Sequence, residues 1–310
     1  MDRISWFWSS APYQGAEYLA ENPDFRIFNP EDRVESVRWF QPKERVLRWY
    51  LNPDLINQDR DKTQPSLDLY LRADDGVWDP EDWGGIMQGL GRLGEDFSNA
   101  QYLEIWVNDG IPDLELRRGK LHIDFGYINE DGFWPVDDNG DPVVGRWERE
   151  DGIVDGSADG VFYAPEEDIG LDGREHGPQL FQADFEIAGD SPYPGINGTA
   201  RNGREDDEDL NGDSRLYTDN GYFTVTIDLK DSDALVDVVY DYDDVQELVN
   251  ANIAWRQYRI PLIAVDSVSM GAEPNLESVT HVRIWYEDPQ PGGRTGFTLQ
   301  LSGIRFVDSL

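Results

Sequence analysis

Residues 255–262 read WRQYRIPL, residues 276–288 read LESVTHVRIWYED, and residues 296–307 read GFTLQLSGIRFV. Each stretch alternates with a period of two. Tyr258, Ile260 and Leu262 alternate with Arg259 and Pro261. Val282, Ile284 and Tyr286 alternate with His281, Arg283 and Trp285. Phe297, Leu299 and Leu301 alternate with Thr298, Gln300 and Ser302. Such alternation predicts half-buried strands with one face in a core, here Trp255, Tyr258, Ile260, Ile284 and Leu301 among others. Pro289-Gln-Pro-Gly-Gly293 predicts a turn between the last two strands. Pro261 cannot donate to a ladder, which places it near a strand end or on an edge.

Working outward, the same grammar recurs. Val46–Leu51, Leu67–Leu71, Tyr102–Val107, Lys120–Gly126, Tyr222–Leu229 and Leu235–Tyr240 read as strands, and Asp244–Asn250 as a helical turn. FSNAQYLEIWV at 97–107 and LESVTHVRIWY at 276–286 form a weak repeat about 180 residues apart. The repeat suggests two equivalent hairpins of one sandwich or two related sandwiches. Residues 1–40 read as an irregular arm with an aromatic knot at Trp6, Phe7 and Trp8, packed over a sandwich edge. The expectation is an all-β, jelly-roll or galactose-binding-like β-sandwich over 41–310, interrupted by an acidic insertion at 129–220.

Composition supports this. The 310 residues include 39% hydrophobic and 12% aromatic residues, enough for a core, and 30 Gly with 18 Pro suit many turns. Cysteine is absent, which excludes disulfides and thiolate metal sites. No run of about 18 apolar residues predicts a membrane helix. Met1–Ser10 does not read as a signal peptide, so the expectation is a cytosolic protein or a piece of a longer exported chain. The net charge of −37 excludes nucleic acid as a partner and favours cations, a salty medium or a basic partner. Four Lys against 22 Arg fits salt adaptation and a calcium-rich extracellular module equally.

The insertion holds 25 Asp and Glu against six Arg, a little over half of the net charge. It is too long for an ordinary loop. Asp207-x-Asp209-x-Asn211-Gly212-Asp213, followed by Asp219, alternates oxygen ligands around a Gly turn as a calcium loop does. The match is incomplete, since Thr218 stands where the bidentate Glu would be. The predicted calcium ligands are Asp207, Asp209, Asn211, Asp213 and Asp219, with a backbone carbonyl near Arg215. Similar clusters stand at Asp137–Asp141 and at Glu166, Glu167, Asp168 and Asp172. Catalysis finds little support. His122 and His281 lie on strands and read as structural, and His176 is a lone loop histidine. Among 63 acids no pair is distinguished for hydrolysis, and no phosphate loop, nucleophile elbow or zinc motif occurs. The chain reads as a non-enzyme.

The sandwich signature resembles carbohydrate-binding modules of galactose-binding or jelly-roll type. A closer resemblance is to the SprA-type outer-membrane translocon family of gliding motility and type IX secretion. It is carried by Gly84-Gly-Ile-Met87, Asn99–Val107, Leu121–Gly126 with Asn129-Glu-Asp131, Asp168–Gly173, Asp207–Asp213 and Trp255–Leu262, in consistent order across 45–307. The resemblance implies a domain of a secretion channel facing the periplasm or cell exterior, with envelope or secretion-system proteins as partners. The sequence departs from the family in size and in lacking barrel strands. Two functions follow: a non-catalytic, calcium-stabilised module of an envelope secretion or surface protein, or a carbohydrate-binding module with exposed Trp or Tyr as its platform.

Overall fold

A computed structural model describes residues 6–12, 32–34, 36–41, 45–51, 61–73, 77–111, 116–132, 139, 143, 145–151, 161–168, 205–230, 255–288 and 296–308. The predicted strand at 235–240, the helical turn at 244–250, His176, the turn at 289–293 and the acids Asp137, Asp138, Asp141 and Asp172 lie outside these residues.

Thirteen strands are described: β1 (Phe7–Trp8), β2 (Ser36–Phe40), β3 (Val46–Leu47), β4 (Thr63–Gln64), β5 (Leu67–Arg72), β6 (Trp83–Gly89), β7 (Tyr102–Asn108), β8 (Lys120–Tyr127), β9 (Asn220–Asp228), β10 (Trp255–Pro261), β11 (Asp266–Met270), β12 (His281–Glu287) and β13 (Gly296–Val307). A six-stranded sheet runs β1-β6-β12-β8-β9-β11, and a five-stranded sheet runs β10-β7-β13-β5-β2. β3 and β4 form a separate pair. All these ladders are antiparallel. Alternate residues of both sheets share one core: Ile86, Ile123, Val225 and Ile284 from the first meet Leu69, Ile105, Tyr258 and Leu299 from the second. The chain is therefore a two-sheet β-sandwich, as the alternation predicts. Its helix is limited, among the described residues, to single turns such as α1 (Arg48–Leu51) and α2 (Ala164–Glu167).

Several expectations are corrected in detail. β12 and β13 do not form a hairpin, because they belong to opposite sheets. The repeated Ile-Trp strands likewise separate, β7 into the five-stranded sheet and β12 into the six-stranded one. The segments preceding them pair with each other: Phe97 N–H donates to Leu276 O at 2.8 Å, and Glu95 bridges Val279. Local pattern fixes which face of a strand is apolar but not which sheet takes the strand. Val46–Leu51 is a two-residue strand followed by a helical turn: the Arg48 N–H still donates to Lys62 O, its partner in the β3–β4 register, and the chain coils from there. Leu262 opens a short 3₁₀ turn beyond Pro261 instead of extending β10. The arm supplies edge strands to both sheets, β1 beside β6 and β2 beside β5. Trp255, Tyr258, Ile284 and Leu301 are buried as expected, and Ile260 is half-buried.

Candidate functional site

The outward residues of β12 are not solvated. His281, Arg283, Trp285 and Glu287 are buried along with the inward ones. By register, Arg283 lies opposite Asp124 on β8 and Trp285 opposite His122. Arg283 Nε donates to Asp124 Oδ2 at 2.7 Å, its Nη2 lies 2.6 Å from the same oxygen, and Trp285 Nε1 donates there at 2.9 Å. Burial opposes the guanidinium charge, but Asp124 and then Tyr222 outweigh it and hold the Arg283 pKa above its ordinary value. The Arg283 Cζ sits 4.8 Å from the Tyr222 ring centroid. Its Nη1 reaches the arm, with Ser10 Oγ at 3.2 Å and Ala11 O at 3.3 Å. His122 stacks on Trp285 at 3.7 Å, with Glu287 Oε1 3.0 Å from its Nε2 and Thr226 Oγ1 3.0 Å from its Nδ1. Glu287 can only accept when ionised, which assigns the ring proton to Nε2. Both strand histidines thus have the structural setting expected of them.

At the His281 end of this face the acidic insertion is fastened down. Glu130, fully buried, receives the His281 ring Nε2 at 3.0 Å and the Asn211 N–H at 3.3 Å on Oε1, and the Tyr217 N–H at 3.2 Å on Oε2. Glu208, also fully buried, accepts the Gly132 N–H at 3.0 Å and the Glu148 N–H at 2.8 Å. Glu150 accepts the Asp206 N–H at 2.9 Å. Each carboxylate joins the limb at 129–151 to the limb at 205–217. Ionised carboxylates accepting backbone N–H groups make strong, short-range bonds and supply the partners that irregular chain otherwise lacks. Part of the acidity is therefore internal wiring and not solvated surface. The fit against the sheet is close: a Cβ built on Gly89 would lie 2.1 Å from Leu210 O. Gly85 permits the same intimacy with Trp285, whose Cβ would stand 2.5 Å away.

The predicted calcium ligands are used differently from one another. Asp207 Oδ1 accepts Trp147 Nε1 at 2.5 Å and its own loop's Asp209 N–H at 2.9 Å, while Oδ2 pairs with Arg149 at 2.9 Å. Asp209 accepts three backbone N–H groups, those of Gly212, Asp213 and Ser214, at 2.8, 2.9 and 2.5 Å. Gly212 and Ser214 carry the positive φ that lets the loop close on it. Asp213 Oδ2 accepts the Tyr217 hydroxyl. Asn211 Oδ1 and Asp213 Oδ1 are buried without a hydrogen-bond partner. Asp219 is exposed and lies beside Gly271. Among the described residues no three His, Asp or Glu form a group that could hold a metal ion. Glu166 is exposed, whereas Glu167 and Asp168 are buried, with Glu167 Oε2 accepting the Tyr163 N–H at 2.6 Å.

Sequence reading passed over Glu130, Glu208, Glu150 and the Arg283–Asp124 pair. The pair had a signal: an Arg and an Asp on the outward positions of two long apolar strands. The staples had none, because in a run such as Glu205–Asp209 nothing local separates an inward carboxylate from an outward one.

No family model matches this chain, and no curated protein matches it. Among solved structures, the crystal structure of a non-crystalline cellulose-specific carbohydrate-binding module, CBM28, aligns over 79% of this chain and 76% of its own, at 8% identity and a TM-score of 0.26. At that score the likeness carries no argument, and the fold rests on the sheet order and shared core above. No helix among the described residues is long and apolar enough to cross a membrane.

Proposed function

We propose that this chain is a non-catalytic β-sandwich module of an exported cell-envelope protein of the SprA type, working on the periplasmic or extracellular face beside other envelope or secretion-system proteins. The supporting observation is convergence. Motifs that carry the resemblance, far apart in sequence, are contact partners here: Gly89 just beyond the Gly84–Met87 motif, Glu130, and the Asp207–Asp213 loop meet at one end of the six-stranded sheet. Their order along the chain is thus the order of one structural unit. The strand histidines His122 and His281 and the Arg283–Asp124 pair each have a charged partner within the chain, which suits a scaffold. In-frame removal of residues 45–307 from the parent chain in its host is expected to stop cargo reaching the medium while the parent persists in the envelope. Undiminished secretion overturns the reading.

Calcium belongs to this proposal through two atoms, the buried and unpartnered Asn211 Oδ1 and Asp213 Oδ1. A hundredfold excess of calcium over its dissociation constant is expected to add about 2.7 kcal/mol of stability. The measurement is a melt with calcium and with chelator at constant high ionic strength, repeated on the Asn211→Ala, Asp213→Ala double variant. Identical melts in the unsubstituted protein remove calcium from the reading.

A second reading, carbohydrate binding, is favoured by the other sheet. The outer face of the five-stranded sheet carries half-buried Trp106, Asn108, Gln300 and Tyr70, with Arg259 paired to Glu104 and lying 5.8 Å from the Tyr102 ring. Side-chain amides between aromatic rings suit a neutral sugar, whose hydroxyls both donate and accept. A sugar panel tests it: affinity for a single sugar class, lost in Trp106→Ala, would establish this reading.

A further inference from the structure

Three outward side chains stand in one row across the middle of the five-stranded sheet. Gln300 on β13 is in register with Asn108 on β7 and with Asp68 on β5. They are joined by hydrogen bonds that all run the same way. The Gly110 backbone N–H donates to Asn108 Oδ1 at 2.9 Å. Asn108 Nδ2 donates to Gln300 Oε1 at 2.8 Å. Gln300 Nε2 donates to Asp68 Oδ2 at 2.9 Å, and Ser66 Oγ donates to Asp68 Oδ1 at 2.9 Å.

The two ends of this chain fix its direction. A backbone N–H can only donate, and an ionised carboxylate can only accept. Between them neither amide can turn over without placing donor against donor or acceptor against acceptor. Each amide keeps one N–H and one carbonyl lone pair for whatever lies on the face. Bonds aligned in this way also polarise one another, so the free N–H groups of Asn108 and Gln300 are stronger donors than isolated amides.

We propose that Asp68 is a positioning residue, which by its charge holds Asn108 and Gln300 in one donor–acceptor arrangement for reading the hydroxyl groups of a neutral polyhydroxylated ligand. The ligand class rests on the carbohydrate reading of this face; the ordering of the amides does not.

Loss of the charge has a defined consequence. A protonated Asp68 can donate to Gln300 Oε1, and Gln300 then turns its Nε2 toward Asn108 Nδ2, donor to donor. The original and the turned arrangement compete, and the face loses its single pattern. Burial pushes the Asp68 pKa up to about 6, against the bonds from Gln300 and Ser66, so the change falls between weakly acid and neutral pH. The groups around Asp68 include no charge that sets this value. On the same face, β13 contributes Thr298, Gln300 and Ser302, β5 contributes Tyr70 and Arg72 with Ser66 just before it, and β7 contributes Glu104, Trp106 and Asn108. β4 brings Gln64 to Ser302, and in the register β2 sets Phe40 opposite Asp68 and Arg38 opposite Tyr70.

The test uses the full chain and follows the side-chain amide signals of Asn108 and Gln300 by ¹H–¹⁵N NMR from pH 4.5 to 8. Asn108→Ala and Gln300→Ala assign the signals. Both are expected to move together with one midpoint near pH 6, and to stay still in Asp68→Asn. Ser66→Ala, which removes a bond to the charged form, is expected to move the midpoint upward and serves if Asp68→Asn fails to fold. Signals that do not titrate, or that titrate unchanged in Asp68→Asn, overturn the proposal. In parallel, glucose, mannose and N-acetylglucosamine hexasaccharides are titrated at pH 5 and 7.5. The tightest is expected to bind at least threefold better at pH 7.5, with no such difference in Asp68→Asn; equal affinity at both pH values overturns the gating of ligand. If no sugar binds while both amides titrate as expected, Asp68 keeps its ordering role and the carbohydrate reading fails.

Discussion

The two sheets of this sandwich treat their outer faces in opposite ways. The six-stranded sheet buries the outer face of its central strands under the chain's own arm and insertion, and pairs Arg283 with Asp124, His122 with Glu287 and His281 with Glu130 there, leaving Asp124 Oδ1 as a buried atom without a hydrogen bond. The five-stranded sheet leaves Trp106, Asn108, Gln300 and Tyr70 half-exposed, with Asn108 and Gln300 wired in a single direction. A polar face that is closed over must draw the partners of its charged groups from within the chain. A polar face left half-open can keep valences in reserve. The first face therefore holds the molecule's shape, and the second is the one equipped to meet something else.

The sharpest way to break this contrast is Arg283→Ala. The substitution leaves Asp124 buried without its counter-charge, and the expected loss is about 3–5 kcal/mol in urea unfolding. A loss below about 1 kcal/mol would show that water enters this face and that it is not closed.

Asp68 gives the opposite sign on the other sheet. Its folded pKa of about 6 stands above the ordinary 3.8, so the stability it favours is complete below pH 3.8 and declines as pH rises through 6. Above that range the carboxylate costs the fold on the order of 3 kcal/mol, since one pKa unit corresponds to about 1.36 kcal/mol. Asp68→Asn, neutral at every pH, is expected to melt higher than the unsubstituted protein at pH 7.5 and to lose that advantage by about pH 4. A pH-independent difference between the two would mean that Asp68 is not the titrating group.

Glu130→Ala tests the staples. It strands the Asn211 and Tyr217 N–H groups and the His281 ring, and a buried unsatisfied donor costs about 1–3 kcal/mol. Limited proteolysis should show new cleavage within 205–217, where the N–H groups are released, before any loss of the sandwich. Protection identical to the unsubstituted protein would leave Glu130 without a fastening role.

How much of this was legible follows from range. The alternation at Tyr258–Ile260, Val282–Tyr286 and Phe297–Leu301 needs only neighbours two residues apart, and it placed the core correctly. Pro261 at the end of an edge strand was readable for the same reason: its missing N–H is a local fact. Sheet membership was not readable, because β12 and β13 look alike in sequence and only the packing sends them to opposite sheets. The calcium pattern at Asp207–Asp213 shows the limit most plainly. Spacing alone proposed Asp207 and Asp209 as ligands, and it is silent on the other partners of their oxygens, Trp147, Arg149 and the loop's own N–H groups, which lie either 58 to 60 residues away or on the backbone. The row Asn108–Gln300–Asp68 spans three strands and 232 residues of sequence, and no window of the chain contains it.

The smallest expected effect belongs to Arg149, which is the useful counterpart of Arg283. Both arginines pair with carboxylates and both lie near an aromatic ring. Arg149 Nη2 is 2.7 Å from Glu205 and its Nε 2.9 Å from Asp207, but its side chain is 42% exposed, and its Cζ stands 5.9 Å from the Trp147 ring. Water and salt screen such a pair, and holding a long side chain in place costs entropy, so exposed ion pairs contribute about 0–1 kcal/mol. Arg149→Ala should therefore shift stability by less than about 1 kcal/mol, and the shift should shrink further in about 1 M salt. The Arg283→Ala loss should hardly change with salt, because its partner is buried with it. Equal salt dependence at the two positions would erase the distinction between a closed face and a solvated rim; a large, salt-resistant loss at Arg149 would extend the closed face out to the insertion's surface.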